Sequence, residues 1–112
     1  MKINEFLELD LLSLPGVEKR ASSNGPYQGF TYKKDEIAYL SEEGLHIRLG
    51  PQKIYEGRES WEADPRMSLN NPSPGWLLIR VQKRVDAEAA VKLFMVAKEI
   101  PPEEFLPPPS EH

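Results

Sequence analysis

Leu45-His46-Ile47-Arg48-Leu49 alternates apolar and polar side chains without a break and runs directly into Gly50-Pro51. No other segment of the 112 residues constrains the fold as tightly. A period of two puts Leu45, Ile47 and Leu49 on one face of a strand and His46 and Arg48 on the other. Such a strand belongs in a sheet with one face packed on a core and the other turned away from it.

The flanking segments supply partners for that strand. Tyr27 to Tyr32 is rich in aromatics, and Lys33-Lys34-Asp35 makes a polar turn into a second strand, Glu36 to Leu40. Ser41-Glu42-Glu43-Gly44 reads as a hairpin loop, with glycine where positive φ is needed. Three consecutive strands with short connections imply an antiparallel meander. Trp76 to Val81 reads as a fourth strand, with Leu77, Ile79 and Val81 on its core face.

Helical spacing appears at both ends of this run. Ile3, Phe6, Leu7, Leu11 and Leu14 recur along an amphipathic helix over residues 3–13, stopped by Pro15-Gly16. Ala87, Ala90, Val91, Phe94 and Ala97 form the buried stripe of a helix from Ala87 to about Lys98, with Asp86 as its N-cap. Gln52 to Glu62 predicts a short helix weakened by Gly57, and Asp64 to Gly75 reads as loop. The fold class is therefore α+β: a four-stranded, mainly antiparallel sheet with helices packed on one face. Residues 1–99 form the single domain, and residues 100–112 a Pro-rich acidic tail of polyproline type.

Composition narrows the function classes. The chain carries 18 acidic and 14 basic residues, a net charge of −4. Residues 99–112 carry Glu99, Glu103, Glu104 and Glu111 and no Lys or Arg, so the two signs balance over residues 1–98. A balanced domain lacks the basic footprint of phosphate neutralisation, which disfavours nucleic acid as a partner. There is no cysteine, and therefore no disulfide, thiolate nucleophile or Cys-ligated metal. No apolar run approaches a membrane span, the N-terminus does not read as a signal peptide, and Asn71-Pro72-Ser73 is blocked as a glycosylation site by its proline. The expected location is the cytoplasm, with no membrane association.

Several motifs together resemble a known family. Leu14-Pro15-Gly16-Val17-Glu18, Glu36-Ile37-Ala38, Gly44 through Pro51, Gly75 through Val81 and Val85-Asp86-Ala87-Glu88 with Leu93 resemble the luciferase domain, a family named for the fungal luciferases. The likeness runs from about residue 3 to residue 99. Most bacterial members have no assigned role. The element order also resembles the YjbR-like superfamily, for which DNA binding has been suggested. The luciferase-domain resemblance implies the α+β fold and, by extension, oxygen chemistry on a small aromatic substrate without a cofactor. This chain departs from the family pattern at the end of the second strand, where Tyr39-Leu40-Ser41 stands in place of histidines.

Enzyme signatures are otherwise missing. The chain has no His-Glu-x-x-His, no Gly-x-Ser-x-Gly and no phosphate-binding glycine loop, and His46 and His112 are its only histidines. No metal site and no cofactor are expected. The candidate site is the sheet face opposite the core, where alternation places His46, Arg48, Trp76 and Arg80, joined by Tyr39. An imidazole, two guanidinium groups and aromatic rings could hold an anionic or aromatic ligand. The plainer alternative is the wet face of an antiparallel sheet, with arginine stems covering apolar surface. Phe105-Leu106, set among prolines, are candidate residues for docking on a protein partner or on the domain itself. A non-catalytic ligand- or protein-binding module is the leading expectation. A cofactor-independent, oxygenase-like enzyme is the alternative, and it predicts a closed pocket at His46 or Tyr39. The sequence does not specify the oligomeric state.

Overall fold

The computed structural model describes residues 2–23, 25–69 and 75–100. Its elements are α1 (Ile3–Leu12), β1 (Val17–Ala21), β2 (Gln28–Tyr32), β3 (Asp35–Leu40), β4 (Gly44–Arg48), α2 (Pro51–Glu56), α3 (Arg58–Glu62), β5 (Met67–Ser68), β6 (Trp76–Arg80) and α4 (Arg84–Glu99). The strands make one sheet in the order β1-β2-β3-β4-β6-β5, and each neighbouring pair is antiparallel.

The α+β class and the antiparallel sheet are as expected, but among the described residues the sheet has six strands rather than four. Both additions are edges. β1 reads Val-Glu-Lys-Arg-Ala, and beyond Val17 all of its residues are exposed. It pairs fully with β2 although it lacks an apolar alternation. Its charged side chains are the usual protection of a free sheet edge. β5 is only Met67–Ser68, pairing with Ile79 and Leu78 inside a segment whose prolines spell loop. Two residues are too few to leave a periodic signature.

Leu45, Ile47 and Leu49 are buried, as are Leu77, Ile79 and Val81. They meet Leu7 and Leu11 of α1 and Ala87, Ala90, Phe94 and Ala97 of α4 in one cluster, which also takes in Ile54 and Trp61 of the short helices. Each large apolar side chain removed from water contributes roughly 1.5–3 kcal/mol. In β3 the register shifts opposite Phe30 and Thr31, so that Ile37 is the extra residue of a bulge. Ile37 and Ala38 are thereby both buried in the core, and Tyr39 still reaches the other face.

Two helix boundaries depart from the expected ones. The 52–62 helix is broken at Gly57 into α2 and α3. The Trp61 ring lies over that glycine, where a Cβ would come within 2.7 Å of it. Asp86 is not the N-cap of α4. The helix starts three residues earlier than expected, at Arg84, and Asp86 is its third residue, accepting from the Lys83 N–H at 3.0 Å and the Gln82 N–H at 3.0 Å. Ile100 closes the described chain and is itself in the core. Phe105 and Leu106 lie outside the described residues.

Candidate functional site

The register fixes which side chains share the face away from α1 and α4. Gly29 lies opposite Tyr39, Tyr39 opposite His46, and His46 opposite Leu78. One row of the sheet thus places Tyr39, His46 and Leu78 side by side. Arg48 lies opposite Trp76 two residues further along, and Arg80 lies opposite Gly44 at the hairpin end.

Three rings in this region form a stack. Tyr27 lies on Tyr39 with centroids 5.3 Å apart and planes at 19°, and Tyr39 lies on His46 at 4.3 Å and 7°. Trp76 leans on Tyr39 at 5.3 Å and 52°. The inner rings are almost fully buried, Tyr39 at 6% and His46 at 8% exposure, while Tyr27 is 39% exposed. The stack therefore has an anchored inner end and an accessible outer end.

Tyr27 precedes β2 and is set by a tight loop rather than by the sheet. The Ser22 N–H donates to the Tyr27 carbonyl at 3.0 Å, and the Tyr27 N–H to the Gly25 carbonyl at 2.8 Å. The Glu36 carboxylate on β3 draws the loop in by accepting from the Ser22 hydroxyl at 2.7 Å and from the Ser23 N–H at 2.9 Å. At the other side of the stack, the Ser41 hydroxyl and His46 Nε2 share a 2.8 Å hydrogen bond, and the Glu43 N–H donates to Ser41 Oγ at 3.2 Å.

An open groove of about 840 Å³ lies at this end of the sheet. Tyr27, Tyr39 and His46 line it together with Ser41, Glu42 and Glu43 of the β3–β4 hairpin, and Asn4 and Gln28 add amide groups. Its size falls within the few hundred to about 1,000 Å³ of small-molecule sites. Burial holds the His46 imidazole below its usual pKa, partly opposed by the Glu43 carboxylate, so the ring is neutral at pH 7. Burial also pushes the Tyr39 phenol up, with Tyr27, Glu36 and Glu43 adding to the effect. Burial lowers Arg48 against the opposing pull of Asp35 and Glu36, without threatening its charge at neutral pH.

Of the five sequence candidates, the structure brings Tyr39, His46 and Trp76 into one ring cluster and puts Arg48 beside Trp76. Arg80 is exposed and four register positions from Arg48, about 13 Å along the strands, so the two guanidinium groups do not converge. Tyr27 and Ser41 stand outside the sequence candidates, and the Glu42-Glu43 pair reads from sequence as solvated charge on a turn. Ser41 could have been included, since a hairpin of known register carries its ends onto the face of His46. Tyr27 could not, because its place follows from a loop. Among the described residues, no group of three or more His, Cys, Asp or Glu side chains is disposed to hold a metal ion, and no helix is long and apolar enough to cross a membrane.

Comparison with protein-family models, with curated proteins and with solved structures gives no match.

Proposed function

We propose that the domain is a non-catalytic binding module that takes a small aromatic ligand in the groove, stacked against Tyr27. The observation that carries this reading is the Tyr27–Tyr39–His46 stack. Its inner rings are immobilised by burial and its outer ring is open to the groove. A planar ligand would extend a row already formed. Aromatic pairs contribute about 0.5–1.5 kcal/mol beyond the area they bury, and a fixed platform spares the ligand much of the ordering cost.

Saturation-transfer NMR with indole as the probe tests the reading. Transfer to the indole protons is expected with the native chain and is lost in Tyr27→Ala, whose spectrum otherwise keeps its core resonances. No transfer at millimolar indole would overturn it.

The enzymatic alternative, oxygenase-like chemistry on a small aromatic substrate, expects a closed pocket where the groove is open, and it draws on one further observation. A neutral imidazole at the groove wall is a proton acceptor, and the Ser41 hydroxyl already lies 2.8 Å from its Nε2. Oxygen uptake in the presence of indole, abolished in His46→Gln, would replace the binding reading with this one.

A further inference from the structure

We infer that the groove selects organic cations, specifically an aromatic ring bearing a protonated amine on a short chain. The inference rests on the aromatic-binding reading above and adds the charge of the ligand to it.

Among the described residues, the groove side chains that are charged at pH 7 are of one sign. Glu42 and Glu43 project from the hairpin, both are exposed, and the lining has no Lys or Arg among the described residues. Behind the stack the Glu36 carboxylate is held in place by Ser22 and Ser23. The rings register these charges. Glu36 and Glu43 both help push the Tyr39 phenol toward its protonated form, and Glu43 acts on His46 in the sense that favours a positive charge there.

The stack itself contributes no compensating cation, because His46 is neutral at pH 7. The basic residues of the same sheet face stand to either side. Arg48 is two residues along β4 toward the opposite end. Arg80 lies opposite Gly44, one strand spacing or about 5 Å from the hairpin, but it is exposed and is not among the described residues that line the groove. Arg20, on the far edge strand, pairs with Glu18 at 3.2 Å. Tyrosine faces are electron-rich and attract cations directly. A protonated amine on a stacked ring would meet both the ring faces and the hairpin carboxylates, whereas a carboxylate in the same position would be repelled.

Three probes with one ring system separate charge from stacking: tryptamine, indole and indole-3-acetate, titrated by NMR at pH 7 and low salt. Tryptamine is expected to bind about five- to tenfold more tightly than indole-3-acetate, the scale of one cation–π contact plus one exposed ion pair. The preference should shrink in 0.5 M salt, since exposed charges are screened. Glu42→Gln with Glu43→Gln should narrow the gap between tryptamine and indole-3-acetate to the part the cation–π contact supplies. Both residues are exposed turn positions, and the Glu43 N–H that holds Ser41 is backbone. Equal binding of the three probes, or a preference for indole-3-acetate, overturns the cation inference and leaves aromatic binding standing. Binding of none overturns both.

Discussion

The imidazole of His46 lies flat on the phenol ring of Tyr39, with centroids 4.3 Å apart and planes 7° from parallel. The two are direct cross-strand partners of β3 and β4, so the contact follows from the register rather than from a chance rotamer. The cost of the arrangement falls on the charged form of the imidazole, which burial disfavours.

That cost makes stability depend on pH in a defined direction. His46 has a folded-state pKa below its unfolded value of about 6.5. Above that value both states hold a neutral ring and nothing is lost. As pH falls below it, the unfolded chain takes up a proton that the folded chain resists, and folding weakens. Urea denaturation should show stability falling between pH 7 and pH 5 in the native chain and a flatter profile in His46→Gln. Parallel profiles would mean that His46 titrates normally in the fold.

The β2–β3 turn carries strain that a single substitution should release. Tyr32 pairs with Asp35, and the two residues between them, Lys33 and Lys34, have φ of 53° and 71°. Positive φ at both positions is the type I′ geometry that asparagine and glycine favour, and an L-residue held there loses about 1–2 kcal/mol. Lys34→Gly is expected to raise stability by about 1 kcal/mol, or roughly 4–8 °C in Tm. Lys33 is the wrong choice for this test, because its ammonium also lies 5.5 Å from the Tyr32 ring centre. A lower Tm in Lys34→Gly would show that the lost side chain matters more than the relieved backbone.

Gly44 predicts the opposite result. Its φ is 148°, and a Cβ there would overlap the Ile79 carbonyl oxygen and come within 2.9 Å of Arg80 Cα. Both obstacles are backbone of the neighbouring strand and cannot rotate aside. Gly44→Ala should cost about 2–5 kcal/mol from strain and overpacking together. Because β4 and β6 must separate to admit the methyl group, amide exchange should quicken at the Leu45–Ile79 pair. Unchanged exchange there would refute the steric account.

The legibility of these features in the sequence tracks how local their causes are. Leu45 to Leu49 announces its strand, its faces and its place in the core because each is set by a period of two. The hairpin glycine is equally plain. Asp86 was visible as a helix-start residue but displaced by three positions, since the same carboxylate that could cap from outside can also reach back from the third position. β1 was invisible because an exposed edge needs charge rather than pattern. The ring stack lay between these extremes. Alternation put His46 on the outer face, but only the pairing register sets Tyr39 beside it, and Tyr27 arrives through a loop held by Glu36.

Asp86 is also where capping and ion pairing can be told apart. Its Oδ2 accepts from the Gln82 and Lys83 N–H groups, while Oδ1 lies 3.2 Å from Arg66 Nη1. Arg66 is separately held by Asp64, through Nη2 at 2.8 Å and Nε at 3.1 Å. Burial pushes the Asp86 carboxyl up in pKa, but the two N–H donors and the guanidinium outweigh it and leave it below its ordinary value. Its contribution is therefore present above about pH 4 and lost as pH falls further. Asp86→Ala should cost about 1–2 kcal/mol, the range for a lost cap at a helix start. Arg66→Ala should cost less, because its side chain is 33% exposed and Asp86 keeps its backbone donors. A double-mutant cycle should then give a coupling below about 1 kcal/mol. If the coupling accounts for most of the Asp86→Ala loss, the carboxylate works through Arg66, and its hold on the first turn of α4 is secondary.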